Sequence, residues 1–131
     1  MKNQCFGAAG CVIKNNKILL ILRTGNFVVW EFPAGGIEFG ENPEETAVRE
    51  VREEVNLKVK SSGLLAIGSY VTSQKKHEIF FYYKCKILKG KVKIGDRDHS
   101  DYKWFTYDEI KKLPNLALSV KCILNDLRKV I

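Results

Sequence analysis

The chain has 131 residues, of which 45% are hydrophobic and 28% are charged, and its formal net charge is +7. This length accommodates one domain of ordinary size, and the composition excludes an intrinsically disordered chain. The basic charge favours either a polyanionic partner, such as a nucleotide, a nucleic acid or a membrane surface, or simply a lysine-rich solvated surface.

The first part of the chain predicts a β-hairpin and a short aromatic strand. Residues 6–13 and 17–23 are rich in β-branched and aliphatic residues and are separated by a Lys-Asn-Asn turn. Residues 27–32 form the aromatic strand, which we expect the Pro-Ala-Gly-Gly segment 33–36 to end.

The rest of the chain predicts one clear helix, several strands and a helical C-terminus. After the helix at 42–56, the pattern indicates strands at 64–72, 77–88 and 102–105, a polar loop at 90–100, a helical turn at 107–112 and an amphipathic helix at 116–130. This order of strands and helices predicts an α/β (α+β) protein with helices packed on a mixed sheet, and one domain over residues 1–131.

The N-terminal residues 1–6 lack the apolar run and the cleavage pattern of a signal peptide. The longest aliphatic run, residues 18–22, is too short to span a bilayer, so we expect a cytoplasmic protein without a membrane partner. The four cysteines form no C-x-x-C pair and the two histidines have no paired spacing, which disfavours a zinc site.

The helix at 42–56 has clear end signals and an apolar stripe. Asn42 can cap it, Pro43 suits its first position, and Glu45 gives a capping-box pattern. The stripe, at helical spacing, consists of Ala47, Val48, Val51 and Val55.

The same helix concentrates the acidic charge of the protein. Residues 35–57 contain seven acidic and two basic residues, a net charge of −5, whereas the remainder has a net charge of +12. Glu50, Glu53 and Glu54 share one side of the helix, where like charges repel unless a divalent cation or arginine neutralises them. The alternative is a solvated glutamate-rich face, partly paired by Arg49 and Arg52.

These residues resemble the Nudix box. The pattern G-x5-E-x7-R-E-U-x-E-E-x-G-U, with U aliphatic, matches from Gly35 to Leu57 except that Asn56 replaces the last glycine. Asn also tolerates the left-handed conformation, so we expect the helix to end there. The flanking segments 19–23, 30–36 and 104–110 also resemble the family, so the resemblance covers nearly the whole chain.

The resemblance implies an α/β/α sandwich that hydrolyses a diphosphate linkage in nucleoside diphosphate derivatives with Mg²⁺ or Mn²⁺. It makes Glu50, Glu53, Glu54 and the Gly35 carbonyl candidate metal ligands, with Arg49 and Glu41 in support. Glu50 or Glu53 would accept the proton from the attacking water. Among the loop carboxylates before the closing Trp, which are Asp96, Asp98 and Asp101, we predict Asp98 as a further ligand.

Candidates for substrate contact lie before the box. Arg23 at the end of the second strand is a candidate for a phosphate contact, and Phe27 and Trp30 are candidates for stacking on a base. Each has a simpler alternative, a surface arginine for the first and core packing for the aromatic residues.

The substrate class is less determined than the family. The sequence marks typical of ADP-ribose and dinucleoside polyphosphate hydrolases are not evident, so the small size favours a mutator-type hydrolase of nucleoside triphosphates, oxidised ones included. The alternatives are those two other hydrolase classes, a nucleotide sensor without catalysis, and action on RNA 5′ ends. Lysine exceeds arginine and no aromatic-basic RNA motif is present, which disfavours nucleic acid. A homodimer stays open.

Overall fold

A computed structural model describes residues 4–131, which form seven strands and four helices. The strands are β1 (Gln4–Lys14), β2 (Lys17–Arg23), β3 (Trp30–Glu31), β4 (Ala34–Gly36), β5 (Lys58–Val71), β6 (His77–Lys89) and β7 (His99–Phe105). The helices are α1 (Pro43–Val55), α2 (Tyr107–Lys112), α3 (Leu118–Lys121) and α4 (Leu124–Leu127). Over these residues, no helix is long and apolar enough to cross a membrane.

The strands build one mixed sheet around β1. The order along the sheet is β3-β2-β1-β6-β5, with β4 also paired to β1 and β7 also paired to β2. β1 runs parallel to β6, with Phe6 opposite Ile79, and antiparallel to β4, with Ala8 opposite Gly35. This mixed sheet with helices confirms the predicted fold class.

Helices cover both faces of the sheet. Consecutive residues of β2 point to opposite faces, and Ile18 to Ile21 are all buried, which explains this unbroken hydrophobic run. Leu19 and Ile21 pack with Val51 and Val55 of α1, whereas Leu20 packs with residues of α2, α3 and α4. The predicted α/β/α layers are therefore present. α1 covers one face of the sheet, and α2, α3 and α4 cover the other.

The hairpin and the first helix are formed as the sequence predicts. Asn15 and Asn16 adopt positive φ angles of 51° and 59°, as a tight hairpin turn requires. At α1, the Asn42 side chain accepts a hydrogen bond from the Glu45 amide at 2.9 Å, and Glu45 accepts one from the Asn42 amide at 3.0 Å. The helix ends at Asn56, whose φ of 63° confirms the predicted left-handed cap.

Three sequence-based expectations for the secondary structure were wrong. The aromatic strand is reduced to Trp30–Glu31, and the segment expected to end it contains β4, because β1 offers Ala34–Gly36 a partner. The polar loop ends earlier than expected, since β7 begins at His99 and pairs with β2. The C-terminal helix is divided into α3 and α4, because Ile123 leaves helical geometry with φ −122° and ψ 19°.

Candidate metal and substrate site

Strand β4 passes directly beside the acidic side of α1. A Cβ atom built on Gly35 would lie 2.3 Å from Cδ of Glu50, so the missing side chain leaves the space that the Glu50 carboxylate occupies. A Cβ atom built on the next residue, Gly36, would have no other atom within 4 Å. The Ala34 amide donates a hydrogen bond of 2.8 Å to Oε1 of Glu54. The predicted Gly35 site therefore lies against the carboxylates of the box.

Arg49 connects the outer carboxylates of the site. Its Nε atom lies 2.8 Å from Glu41 Oε2, and its Nη1 atom lies 2.7 Å from Glu50 Oε1 and 2.8 Å from Glu53 Oε1. Its Nη2 atom also donates to the Gly36 carbonyl at 3.2 Å. The planar guanidinium group thus holds three of the predicted site carboxylates on one cation.

The environments of these carboxylates differ. Hydrogen bonds from Arg49 and then Thr46 lower the pKa of Glu41 to about 2. Burial raises the pKa of Glu50, although the hydrogen bond from Arg49 opposes this. Burial also raises the pKa of Glu54 to about 8, against the hydrogen bond from the Ala34 amide. Glu50 and Glu54 are therefore partly buried acids whose ionised forms lack sufficient compensation from the protein.

A second group of polar side chains lies around Glu54. Ligand atoms of Glu54, Asp96 and His99 all lie within 4.8 Å of one another. The His99 ring is 2% exposed, with Nδ1 2.9 Å from Asp96 Oδ1 and Nε2 2.7 Å from Glu31 Oε2. Glu31 Oε2 also accepts a hydrogen bond of 2.9 Å from Nε of Arg23.

The loop that carries Asp96 is attached to the C-terminal end of α1. The Lys93 amide donates to the Val55 carbonyl at 3.0 Å, and the Gly95 amide donates to the Glu54 carbonyl at 2.8 Å. A Cβ atom on Gly95 would lie 2.3 Å from the Glu53 carbonyl oxygen, so only glycine allows this approach. The loop thereby satisfies free carbonyls of the helix end and brings Asp96 to Glu54.

The predicted loop ligand Asp98 lies outside this group. Its side chain is exposed, its amide donates to Asp96 Oδ1 at 3.0 Å, and its carbonyl accepts from the Thr24 amide at 2.8 Å. Asp101 is exposed and accepts a hydrogen bond from the Tyr102 amide. Within residues 4–131, Asp96 is therefore the loop carboxylate that the structure groups with Glu54, and a role for Asp98 stays a prediction.

A cleft extends from the box to the other face of the protein. A cavity of about 250 Å³ beside Gly35 and Gly36 is followed by a second of about 500 Å³, and Arg23, Glu31 and Tyr70 line both. A larger groove of about 690 Å³ lies between α1 and β5. We place the candidate substrate in the first two cavities, because they adjoin the Gly35 side of the carboxylates.

The predicted substrate residues have different surroundings. Arg23 lies on the cleft wall, paired with Glu31. Phe27 is 54% exposed and lines the second cavity. Trp30 packs edge to face on Phe105, with ring centroids 5.0 Å apart, and belongs to the surroundings of the core. Base stacking by Phe27 or Trp30 stays a prediction.

Sequence reasoning did not assign roles to Glu31 and His99. Glu31 stands within the segment that resembles the approach to the box, and His99 has no histidine or cysteine partner at a metal-binding spacing. They meet because β3 and β7 both pair with β2, Glu31 opposite Ile21 and His99 opposite Arg23. No local sequence signal distinguishes them, because β3 has only two residues and β7 carries several other polar side chains.

Comparisons with known proteins identify the family of this domain. The sequence profile of the NUDIX domain matches residues 6–127. The ADP-ribose pyrophosphatase of Methanocaldococcus jannaschii is 34% identical over 120 residues, which cover 89% of this chain and 69% of that protein. The 8-oxo-dGTP diphosphatase of Buchnera aphidicola is 32% identical over 125 residues, which cover 93% of this chain and 92% of that protein.

The fold also matches a solved structure. The MutT NUDIX hydrolase from Burkholderia pseudomallei superimposes with a TM-score of 0.85 at 21% identity, covering 99% of this chain and all of that one. At this identity, the similarity concerns the fold.

Proposed function

The chain belongs to the Nudix family of hydrolases, which act on nucleotide derivatives, and on this premise we propose that it hydrolyses a diphosphate linkage of a nucleoside triphosphate with Mg²⁺ or Mn²⁺. The substrate class includes oxidised nucleotides. The observation that carries the proposal is the set of box carboxylates on α1, which faces Gly35 at the end of a cleft lined by Arg23. The relative that this chain spans almost completely acts on 8-oxo-dGTP.

The donor set suits a hard divalent cation. The box offers carboxylate oxygens, and the burial that raises the pKa of Glu50 and Glu54 leaves their ionised forms in need of positive charge. Glu50, Glu53 and Glu54 would hold the cation, with the Gly35 carbonyl as a further ligand. A bound cation would polarise phosphoryl oxygens and lower the pKa of a water molecule.

The remaining work falls to residues of the chain. Arg49 fixes the orientation of Glu50 and Glu53, and Glu41 fixes Arg49 through hydrogen bonds of 2.8 and 3.0 Å. Glu50 or Glu53 accepts the proton from the attacking water, since both carboxylates lie on the side of α1 near Gly35. Arg23 contributes positive charge on the cleft wall, where it can meet a substrate phosphate.

ADP-ribose is the second candidate substrate. The relative with the higher identity is an ADP-ribose pyrophosphatase, of which this chain covers 69%. One observation is against this candidate. ADP-ribose hydrolases of the family tend to carry a proline after the box, whereas residues 58–89 of this chain contain none. We therefore rank it below the nucleoside triphosphates.

A substrate panel tests the proposal directly. The full chain is incubated with nucleoside triphosphates, 8-oxo-dGTP, ADP-ribose and dinucleoside polyphosphates with Mg²⁺ or Mn²⁺, and the products are separated by chromatography. We expect a nucleoside monophosphate and pyrophosphate from a triphosphate, and about 100- to 1,000-fold slower formation of both with Glu53→Gln. Cleavage of ADP-ribose alone would select the second candidate, and nucleotide binding without product would indicate a sensor and refute both.

The single-domain organisation of residues 1–131, a cytoplasmic location and a homodimer stay predictions. Action on RNA 5′ ends also stays open as a minor alternative, for which binding of triphosphorylated RNA should weaken steeply with salt.

A further inference from the structure

A continuous chain of charged side chains joins the cleft to the inner end of the box. It begins with Arg23 on the cleft wall, whose Nε atom lies 2.9 Å from Glu31 Oε2. His99 Nε2 lies 2.7 Å from the same oxygen, and His99 Nδ1 lies 2.9 Å from Asp96 Oδ1 and 3.1 Å from Asp96 Oδ2. Asp96 is in turn grouped with Glu54.

Each ring nitrogen of His99 faces a carboxylate oxygen. Ionised carboxylates only accept hydrogen bonds, so both ring nitrogens donate when the imidazole is protonated. The ring therefore bridges the two carboxylates, with Nε2 at Glu31 and Nδ1 at Asp96.

This arrangement is costly as a purely structural element. Placing two carboxylates against an imidazole ring that is 2% exposed incurs a desolvation penalty, and apolar side chains of similar size would often fill such a space at no loss of stability. The geometry also makes His99 unsuitable as a direct metal ligand, because each nitrogen that bound a metal would have to give up one of the two carboxylates.

We propose that His99 is a positioning residue that holds two parts of the active site at once, Asp96 beside Glu54 at the metal-binding end and Glu31 with Arg23 on the cleft wall. This inference rests on the proposed function, because it assigns Asp96 and Arg23 to the site where the metal and the substrate phosphates meet. It makes Asp96 a carboxylate at the metal-binding end, and it makes Glu31 the residue that keeps Arg23 directed along the cleft.

The two hydrogen bonds can be separated by substitution. In His99→Asn the amide nitrogen stands near the former Nδ1 and can still donate to Asp96, but the side chain is too short to reach Glu31. In His99→Gln the amide nitrogen stands near the former Nε2 and can still donate to Glu31 but not to Asp96. His99→Phe keeps a ring of similar size and removes both donors.

Two binding measurements report on the two ends without requiring turnover. Electron paramagnetic resonance titration with Mn²⁺ reports on the Asp96 end, and an NMR titration with inorganic triphosphate in the presence of EDTA reports on the Arg23 end. We expect His99→Gln to weaken Mn²⁺ binding about 10- to 100-fold and to leave triphosphate binding nearly unchanged, as for other residues that orient metal ligands. We expect His99→Asn to weaken triphosphate binding and to leave Mn²⁺ binding nearly unchanged. We expect His99→Phe to weaken the binding of Mn²⁺ and of triphosphate.

A double substitution tests whether the metal effect passes through Asp96. If it does, Asp96→Asn combined with His99→Gln should bind Mn²⁺ as weakly as Asp96→Asn alone, because the same interaction has already been lost. Fully additive losses would overturn this step. His77→Asn is the matched control, since this histidine bonds to Ser69, lines neither of the two cleft cavities and should leave both titrations unchanged.

Equal losses at both ends in the Asn and Gln variants would show that His99 acts through folding alone, and unchanged binding in all three variants would show that it has no role. Either result overturns the proposal. Thermal unfolding of each variant identifies the folded fraction, and the Asn and Gln variants keep the test valid if His99→Phe does not fold. Failure of the proposed function appears separately, as the absence of turnover by the unaltered chain with intact Mn²⁺ binding.

Discussion

The carboxylates of the site fall into an outer group and an inner group that are built differently. The outer group, Glu41, Glu50 and Glu53, lies within 13 residues of chain and is held by Arg49. The inner group surrounds Glu54 and draws on segments far apart in sequence, through Ala34, Asp96 and His99.

The two groups also differ in the side chain that joins their carboxylates, an arginine in the outer group and a buried histidine in the inner group. The Glu53 side chain is 51% exposed and shares its counter-charge with two other carboxylates, so water and salt reach it. The Glu54 carboxylate is partly buried and faces a buried ring. The difference suggests that the outer group is arranged to exchange its partners when a cation binds, whereas the inner group is preorganised by the fold.

The largest effect should come from the outer group. Glu53→Gln should lower kcat by about 100- to 1,000-fold, because it removes a carboxylate on which charge stabilisation in the reaction depends. Folding should be unaffected, since the side chain is half exposed and like-charge repulsion decreases. Steady-state kinetics and thermal unfolding measure the two effects, with Glu44→Gln in the first turn of α1 as the control. Activity within a few-fold of the unaltered chain would contradict the assignment.

The neighbouring glycines give the next test. Gly35→Ala should lower kcat/KM about 10- to 100-fold, because the new Cβ would lie 2.3 Å from Cδ of Glu50 and would push this carboxylate out of place. The carboxylate can move, so the protein should still fold. Gly36→Ala, where the space is open, should retain activity within about twofold. Similar kinetics for the two variants would show that the position of Glu50 is unimportant.

The inner group should respond more in stability than the outer group. In Gly95→Ala the new Cβ would lie 2.3 Å from the backbone oxygen of Glu53, which cannot rotate away. The loop must move, and we expect the free energy of unfolding to fall by about 1–3 kcal/mol, as for other overpacked sites. Urea denaturation measures this loss. An unchanged midpoint would show that the loop is not fixed on α1.

A pH dependence of the metal-free protein gives a further test of the inner group. An ordinary glutamate has a pKa of 4.5, and burial in the folded protein raises the pKa of Glu54 to about 8 by favouring the protonated form. Folding therefore takes up a proton between these values, and the contribution of this group to stability should fall as the pH rises from about 4.5 through about 8. Urea denaturation at several pH values in EDTA should show a flatter profile for Glu54→Gln. Parallel profiles would place the titration elsewhere.

The sequence predicted the outer group almost completely. The spacing of Glu50 and Glu53 on α1, and the caps at Asn42 and Asn56, depend on interactions within a few residues. Arg49 stands one turn before Glu53, so their ion pair also follows from helix geometry. Local patterns of this kind are readable without knowledge of the fold.

The strand assignments show where local patterns fail. The segment Ala34–Gly36 has weak strand propensity, yet it forms β4 because β1 supplies its hydrogen-bonding partners. The apolar spacing over 116–130 suits one helix, but the chain turns at Ile123 and buries this side chain with Val120 and Leu127. In both cases tertiary packing outweighed the local preference.

By itself, the sequence determined the family, the box helix and the residues that gather its negative charge, because each depends on short-range spacing along one helix. Only the tertiary structure brought Asp96, rather than Asp98, to Glu54 and placed His99 between Asp96 and Glu31. These contacts depend on the pairing of β3 and β7 with β2 and on the loop bonded to the end of α1. Such long-range register is set by the packing of the whole sheet, which no local window of sequence contains.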